Sequence, residues 1–421
     1  MNSINENRKN YNGIHHLAQD ISFNTDTWSS GTNNNVLVIG PTGAGKTRHY
    51  VKPNVLDSHE SMIILDSKGS LYYELADILD WRGYDVKLLD FRNLRNGCGY
   101  NPFDFIRYDE RNGRYSEQDV LCLSSCIVSS LSSKDPYWDI AARQYLSCLI
   151  SYTLEALPKE EHNLLTVSKL LSIISTDTFA RMMYELSKEK PDSSAYLRYL
   201  NIKDIRTAEK MDSSIKGILS TNLDPLCFDD AKALYDNPCK IDFSAFGKRK
   251  TALFLTISDT DRSLDKLAGA FMTQALQQLC LCADNSIGYR LQVPVRFFLD
   301  DFANSLFIPD FDKIISVIRS REISVSIMLQ SLTQLITLYG EATASTIINN
   351  CDKLLYLGGQ DLTTAELISK RANKTTDTIL SMDLDDAWLF IRGSKPQKVK
   401  KYPAAKVDED IALWQENMPF R

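Results

Sequence analysis

The chain has 421 residues, 43% hydrophobic and 24% charged, which is enough apolar material for a sizeable core in two or three domains and excludes a wholly disordered chain. Lys and Arg total 48 against 54 Asp and Glu, a formal net charge of −6. That balance excludes a protein that coats nucleic acid by bulk charge, while a local basic groove or ring lumen is compatible with it.

Residues 1–32 are polar and read as an N-terminal arm or linker; Met1 to Asn10 lacks the apolar stretch of a signal peptide. Val36-Leu37-Val38-Ile39 is a short continuous apolar run, the pattern of a buried parallel strand. Met62 to Leu65 and Val86 to Leu89 repeat the pattern, and a helical stretch from Leu71 to Trp81 lies between them. From about Tyr108 to Asn237 the strand-like runs stop. Apolar residues recur at helical spacing instead, as in Val120, Leu123, Ile127 and Leu131, and this predicts a mainly helical insertion. Sheet texture resumes with Ala252–Ile257, Val295–Leu299, Ile323–Leu329, Lys353–Leu357 and Ala387–Ile391. Helical segments such as Leu264–Cys282 and Phe311–Arg319 separate several of them. The alternation predicts βαβ units and an α/β fold with a mostly parallel central sheet, interrupted by an all-α domain. The expected divisions are an arm at 1–32, a nucleotide-binding domain in two parts at 33–107 and 241–402, the all-α domain at 108–240 and a C-terminal tail at 403–421. The lysines of Lys395–Lys406 read as a solvated segment.

The chemistry centres on Gly40-Pro41-Thr42-Gly43-Ala44-Gly45-Lys46-Thr47, which fits the G-x-x-x-x-G-K-[ST] P-loop between a buried strand and a helix. Glycines let backbone N–H groups turn around phosphate oxygens at a helix N-terminus. Lys46 is suited to the β and γ phosphates, and the Thr47 hydroxyl to Mg²⁺. No guanine-reading N-K-x-D motif stands in a suitable place. The apolar strand Val295-Arg296-Phe297-Phe298-Leu299 ends in Asp300 and Asp301. Asp300 is expected to hold the Mg²⁺ shell, and Asp301 to orient or deprotonate an attacking water. About 250 residues separate Lys46 from Asp300, a spacing that fits a RecA-like core with a large insertion. Gln330 ends the next strand, where an amide can sense the γ-phosphate. Arg319, just before that strand, is an arginine-finger candidate, against the reading of an ordinary surface arginine. Asp66-Ser67-Lys68-Gly69 follows the second strand at the sheet edge where ligands bind in open α/β sheets.

Nine cysteines are scattered with no CxxC pair, and they read as reduced thiols of the core or of helices. With five histidines, a His-rich metal enzyme is disfavoured. No apolar run reaches the roughly 18 residues of a membrane span.

With these segments assembled, the chain resembles the type IV coupling proteins, the TraG/TraD-type ATPases of conjugation and type IV secretion, in the form carried by Gram-positive conjugative elements. Beyond the P-loop, the resemblance rests on Val51-Lys52-Pro53-Asn54, Tyr100-Asn101-Pro102-Phe103, Asp135-Pro136-Tyr137-Trp138 and Leu299-Asp300-Asp301-Phe302-Ala303-Asn304. It rests also on Arg319-Ser320-Arg321-Glu322-Ile323-Ser324-Val325-Ser326, Gln330-Ser331-Leu332 and Tyr356-Leu357-Gly358-Gly359. The resemblance implies a hexameric RecA-like motor at the inner face of the cell membrane. Such a motor passes relaxase-bound single-stranded DNA to a type IV secretion channel, with the all-α domain contacting DNA and relaxosome. It also implies the finger role for Arg319 and the sensor role for Gln330.

Three departures stand out. Asp301 occupies a position where the family usually has Glu, so the carboxylate is one methylene shorter and slower hydrolysis is expected. Ser67 and Ser70 replace the Pro and Glu of the family's D-P-K-G-E loop. The transmembrane helices that begin most members are not in this sequence. A nucleotide-gated adaptor with little hydrolysis and a DNA pump of the FtsK/HerA kind stand as alternatives.

Overall fold

The computed structural model describes residues 13–27, 31–129 and 136–418. Leu131, Asp135, residues 1–12 and 28–30 of the arm and residues 419–421 of the tail lie outside the described residues.

The centre is a nine-stranded sheet. In chain order its strands are β3 (Val36–Ile39), β4 (Ser61–Asp66), β5 (Asp85–Asp90), β8 (Thr251–Thr256), β9 (Val295–Leu299), β10 (Ile323–Leu329), β11 (Lys353–Tyr356), β12 (Asp386–Ile391) and β13 (Gln397–Lys400). Two two-stranded sheets complete the set: β1 (Ile14–Ala18) with β2 (Ile21–Asn24), and β6 (Tyr108–Asp109) with β7 (Arg114–Tyr115). Across the central sheet the order is β13-β12-β11-β3-β10-β9-β4-β8-β5. Pairing is parallel from β11 to β5, and β12 and β13 are added antiparallel.

The apolar runs are central strands because both faces are covered. Every residue of β3, β4, β8, β9, β10 and β11 is buried. Alternate side chains feed opposite cores. Leu37, Ile39, Ile63 and Leu65 join one; Val36, Val38, Met62 and Ile64 join the other. The second core is closed by the helix α2 (Ser70–Trp81), which follows the short α1 (Lys52–Leu56). The first core runs without a break into the helices α3 (Glu117–Ile127), α4 (Pro136–Ala156), α5 (Leu164–Ile173), α6 (Asp177–Glu189), α7 (Ser194–Thr207), α8 (Glu209–Leu223) and α9 (Asp229–Tyr235). It also takes in α10 (Asp265–Asp284). Side-chain caps mark where several of these helices start: Ser116, Asn163, Thr176 and Ser193 each accept a backbone N–H of the following turn.

Three segments read as arm, solvated segment and tail carry regular structure. The arm contains a hairpin, β1-β2, whose polar residues have partners in the fold. His16 exchanges two hydrogen bonds with Asn54, at 2.7 and 3.0 Å, and the Gln19 N–H donates to Lys400 O at 3.0 Å. The lysine-rich segment is solvent-facing, as expected, and also ordered: Gln397–Lys400 is the edge strand β13, and Lys398 and Lys400 both pair with Asp386. Lysines suit such an edge because they discourage further strand addition. The tail holds a helix, α11 (Ala404–Asn417), docked on α2 through the Trp81 and Trp414 rings at 4.9 Å. Within the expected helical stretch, the only strands among the described residues are the two-residue β6 and β7.

β9 carries an arginine that its apolar neighbours conceal. Arg296 is fully buried; its Nε donates to Glu60 at 2.6 Å and its Nη1 to Asn34 O at 3.0 Å. Tyr50 links this group to the hairpin, with its hydroxyl 2.8 Å from both Ser326 Oγ and His15 Nε2.

Candidate functional site

Parallel strands in the order β3-β10-β9-β4 bring four C-terminal ends to one edge of the sheet. The P-loop leaves β3, Gln330 follows β10, Asp300 and Asp301 follow β9, and the loop 66–70 follows β4. Gly40 N–H donates to Leu329 O at 3.0 Å, which ties the start of the P-loop to the end of β10.

The loop then turns through Gly43 and Gly45 at φ +84° and +85°, a backbone region that L side chains rarely adopt. A Cβ on Gly45 would strike the His49 ring. The helix that follows opens with a π turn, Thr47–Val51, in which the Lys52 N–H reaches back to Thr47 O. Pro53, which has no N–H to give, falls just after that turn, and π turns of this kind often sit at functional sites.

Lys46 is buried. Its Nζ donates to Gly40 O at 2.9 Å and lies 3.4 Å from Asp301 Oδ1. The Thr47 hydroxyl donates to Asp300 Oδ2 at 2.8 Å, and the Asp301 N–H donates to Asp300 Oδ1 at 3.1 Å. Asp301 has a left-handed backbone, φ 49° and ψ 37°, which Asp tolerates better than most residues. Gln330 Nε2 donates to the same Asp301 oxygen at 3.4 Å. Burial, then the Asp301 charge, push the Asp300 carboxyl above its ordinary value; the Thr47 hydrogen bond and the Lys46 charge pull against them.

Lys46, Thr47, Asp300 and Asp301 line a cavity of about 250 Å³ together with Asp66, Ser67, Lys68 and Ser70, which form another wall. The Asp66 carboxylate fixes that wall by accepting the backbone N–H groups of Lys68, Gly69 and Leu71 at 3.2, 2.8 and 2.7 Å. Burial nevertheless pushes the Asp66 carboxyl up. The donor set fits a magnesium nucleotide. A Cβ on Gly43 would meet nothing within 4 Å, so the loop borders open space. Beside it stand an ammonium group and a hydroxyl already bonded to a carboxylate.

Among the residues singled out from the sequence, the P-loop from Gly40 to Thr47, Asp300, Asp301 and Gln330 meet here. Arg319 does not. It is exposed in the turn that enters β10, at the opposite edge of the sheet, where its Nη2 donates to Thr27 O at 3.4 Å. The length of β10, roughly 23 Å at about 3.3 Å per residue, separates that edge from the P-loop. Sequence reasoning missed the contacts behind the P-loop. Lys401 Nζ donates to Ala44 O at 3.2 Å, His49 Nδ1 lies 2.6 Å from Tyr402 O, and Arg48 pairs with Asp408 at 2.6 Å. No local pattern joins residues 357 positions apart, as Ala44 and Lys401 are.

Residues 5–400 match the family model for type IV secretory system conjugative DNA transfer. The chain belongs to that family. It is 22% identical over 424 residues to the type IV secretion system-coupling protein VirD4 of Bartonella henselae, covering 95% of this chain and 63% of that protein. It is 24% identical over 383 residues to protein VirD4 of Agrobacterium fabrum, covering 86% of this chain and 53% of the relative. The chain therefore spans between half and two thirds of the length of these curated relatives. Among solved structures, the fold is shared with the plasmid coupling protein TrwB in complex with a non-hydrolysable ATP analogue, with a TM-score of 0.65, 17% identity and 89% of each chain covered. TrwB in complex with ADP and Mg²⁺ gives a TM-score of 0.63 at 18% identity, with 87% of this chain and 85% of that one covered. These likenesses establish the RecA-like α/β core. Among the described residues no helix is long and apolar enough to cross a membrane.

Proposed function

We propose that this family member is an ATP-hydrolysing coupling protein. It takes relaxase-bound single-stranded DNA to a type IV secretion channel, working as a homo-hexamer at the inner face of the cell membrane. The observation that carries the reading is the Thr47–Asp300 hydrogen bond beside Lys46, a hydroxyl and a carboxylate poised together in the P-loop cavity. The relatives, coupling proteins of secretion and conjugation with one bound to ADP and Mg²⁺, support it.

In this reading residues 40–47 cradle the phosphates of ATP, Lys46 neutralises the β and γ oxygens, and Thr47 and Asp300 hold Mg²⁺. When bound, Mg²⁺ supplies positive charge against the developing negative charge of phosphoryl transfer. Asp301 positions or deprotonates water, and Gln330, already bonded to Asp301, reports on the γ-phosphate. Arg319 completes the site of a neighbouring subunit. Residues 33–107 and 241–402 form the nucleotide-binding domain, and 108–240 the all-α domain that meets DNA and relaxosome. The continuous core between the sheet and α3–α9 supports a mechanical link between the two.

A second reading, a nucleotide-gated adaptor with little turnover, is favoured by one observation. Asp301 is paired with Lys46 rather than facing the cavity alone, and it is shorter than the family's usual Glu. The test is steady-state ATP hydrolysis at several protein concentrations, with and without single-stranded DNA. The expected result is DNA-stimulated turnover that rises cooperatively and falls at least ~100-fold in Lys46→Ala. Tight ATP binding with flat turnover would install the adaptor reading.

A further inference from the structure

Cys98 and Cys239 are 141 positions apart in sequence, yet their sulfurs lie 2.7 Å apart, both as free thiols. The backbone holds them together. Gly99 N–H donates to Cys239 O at 2.8 Å, Cys98 N–H donates to Leu88 O at 2.7 Å, and Gly99 and Lys240 form a parallel bridge. Asn237 closes the contact from its side: its Nδ2 donates to Gly97 O at 3.2 Å and its Oδ1 accepts the Cys239 N–H at 2.9 Å. Gly99 is required by this approach, because a Cβ there would collide with Asn237 and with Leu234 O. The two segments are therefore packed backbone to backbone. Cys98 follows β5 and Cys239 precedes β8, the strand beside it in the sheet, and every helix from α3 to α9 lies between them in the chain. The thiol pair sits at the root of the helical segment.

We propose that Cys98 and Cys239 are a modification site, a dithiol that a low-molecular-weight disulfide converts to an intramolecular disulfide joining the two ends of the helical segment. Cys239 is exposed, so its thiolate attacks the reagent's S–S bond and one reagent thiolate leaves. Cys98 is buried, and burial, then its contact with Cys239, push its thiol up to about 12. It therefore acts second: its sulfur attacks the Cys239 sulfur of the mixed disulfide and expels the other half of the reagent. The two thiol protons end on the two departing thiols, and two electrons pass from the protein to the reagent. The proposal is independent of the ATPase reading.

The experiment exposes the full chain to glutathione disulfide, counts free thiols by alkylation and mass, and maps the cross-linked peptides. The expected result is the loss of two of the nine thiols, a Cys98–Cys239 peptide pair, reversal by dithiothreitol and a raised unfolding midpoint in the oxidised form. Cys98→Ser is expected to trap glutathione on Cys239, and Cys239→Ser to leave Cys98 unmodified. Retention of all nine thiols, a stable mixed disulfide on Cys239 in the unmutated chain, or a cross-link through other cysteines would overturn the proposal.

Discussion

Asp300 faces opposed demands. Its ionised form suits a divalent cation, yet burial and the charge of Asp301 raise its folded pKa above the ordinary 3.8. A carboxyl raised in this way stabilises the fold below its unfolded pKa, and that contribution is lost as pH rises through the folded value. At neutral pH the charge therefore costs stability. Asp300→Asn should raise the thermal midpoint by roughly 2 °C while ATP turnover falls at least ~100-fold. A lowered midpoint in a calorimetric scan would contradict this balance. Asp301 poses a different question, because its left-handed backbone suits Asp better than Glu. Asp301→Glu should lower stability by about 1 kcal/mol while turnover rises, if the longer carboxylate reaches water past Lys46. Denaturant midpoints and turnover measured on one preparation separate the two effects.

The hairpin β1-β2 is held by a buried imidazole. Burial and the Arg296 charge hold the His15 pKa well below the ordinary 6.5, so the ring stays neutral beside Tyr50. A group depressed in this way gives stability above its unfolded pKa and loses it as pH falls toward the folded one. Acidification from pH 6.5 to 5.5 should cost about 1 kcal/mol through this residue. His15→Gln should abolish that part of the slope, read as the change in urea midpoint between the two pH values. In the neighbouring sheet, Arg296→Met alone strands a buried Glu60 and should cost ~3–5 kcal/mol. The double change Arg296→Met with Glu60→Leu should recover much of that loss; no recovery would show that packing, rather than the unpaired charge, sets the cost.

At the scale of the whole molecule, the proposed finger role of Arg319 would tie activity to assembly. It stands at the sheet edge opposite the P-loop, so a finger role requires a neighbour. Lys46→Ala subunits keep the arginine and lose the nucleotide site; Arg319→Ala subunits do the reverse. Mixing the two inactive variants should restore turnover above either alone, because some interfaces then pair a working site with a working arginine. Mixtures no more active than their parts would remove Arg319 from the mechanism.

Much of this protein is legible along the chain. Runs such as Val36–Ile39 and Val295–Leu299 announce buried parallel strands, since a sheet covered on both faces leaves no polar alternation. The P-loop is a local motif and Asp300 ends an apolar run, so both are visible along the chain, while the fold brings them together. Other features depend on contacts between distant segments. The hairpin at Ile14–Asn24 mixes polar and apolar residues, and the strand Gln397–Lys400 is mostly polar; Leu17 packing into the core and hydrogen bonds or ion pairs with Asn54, Asp386 and Lys400 hold them in place. Arg296 reads as a flaw in an apolar strand until Glu60 meets it. Local patterns carry hydrophobic period and motif chemistry; what they cannot carry is which surfaces meet. Only the folded chain put Gln330 against Asp301, Arg319 on the far edge and Cys98 against Cys239.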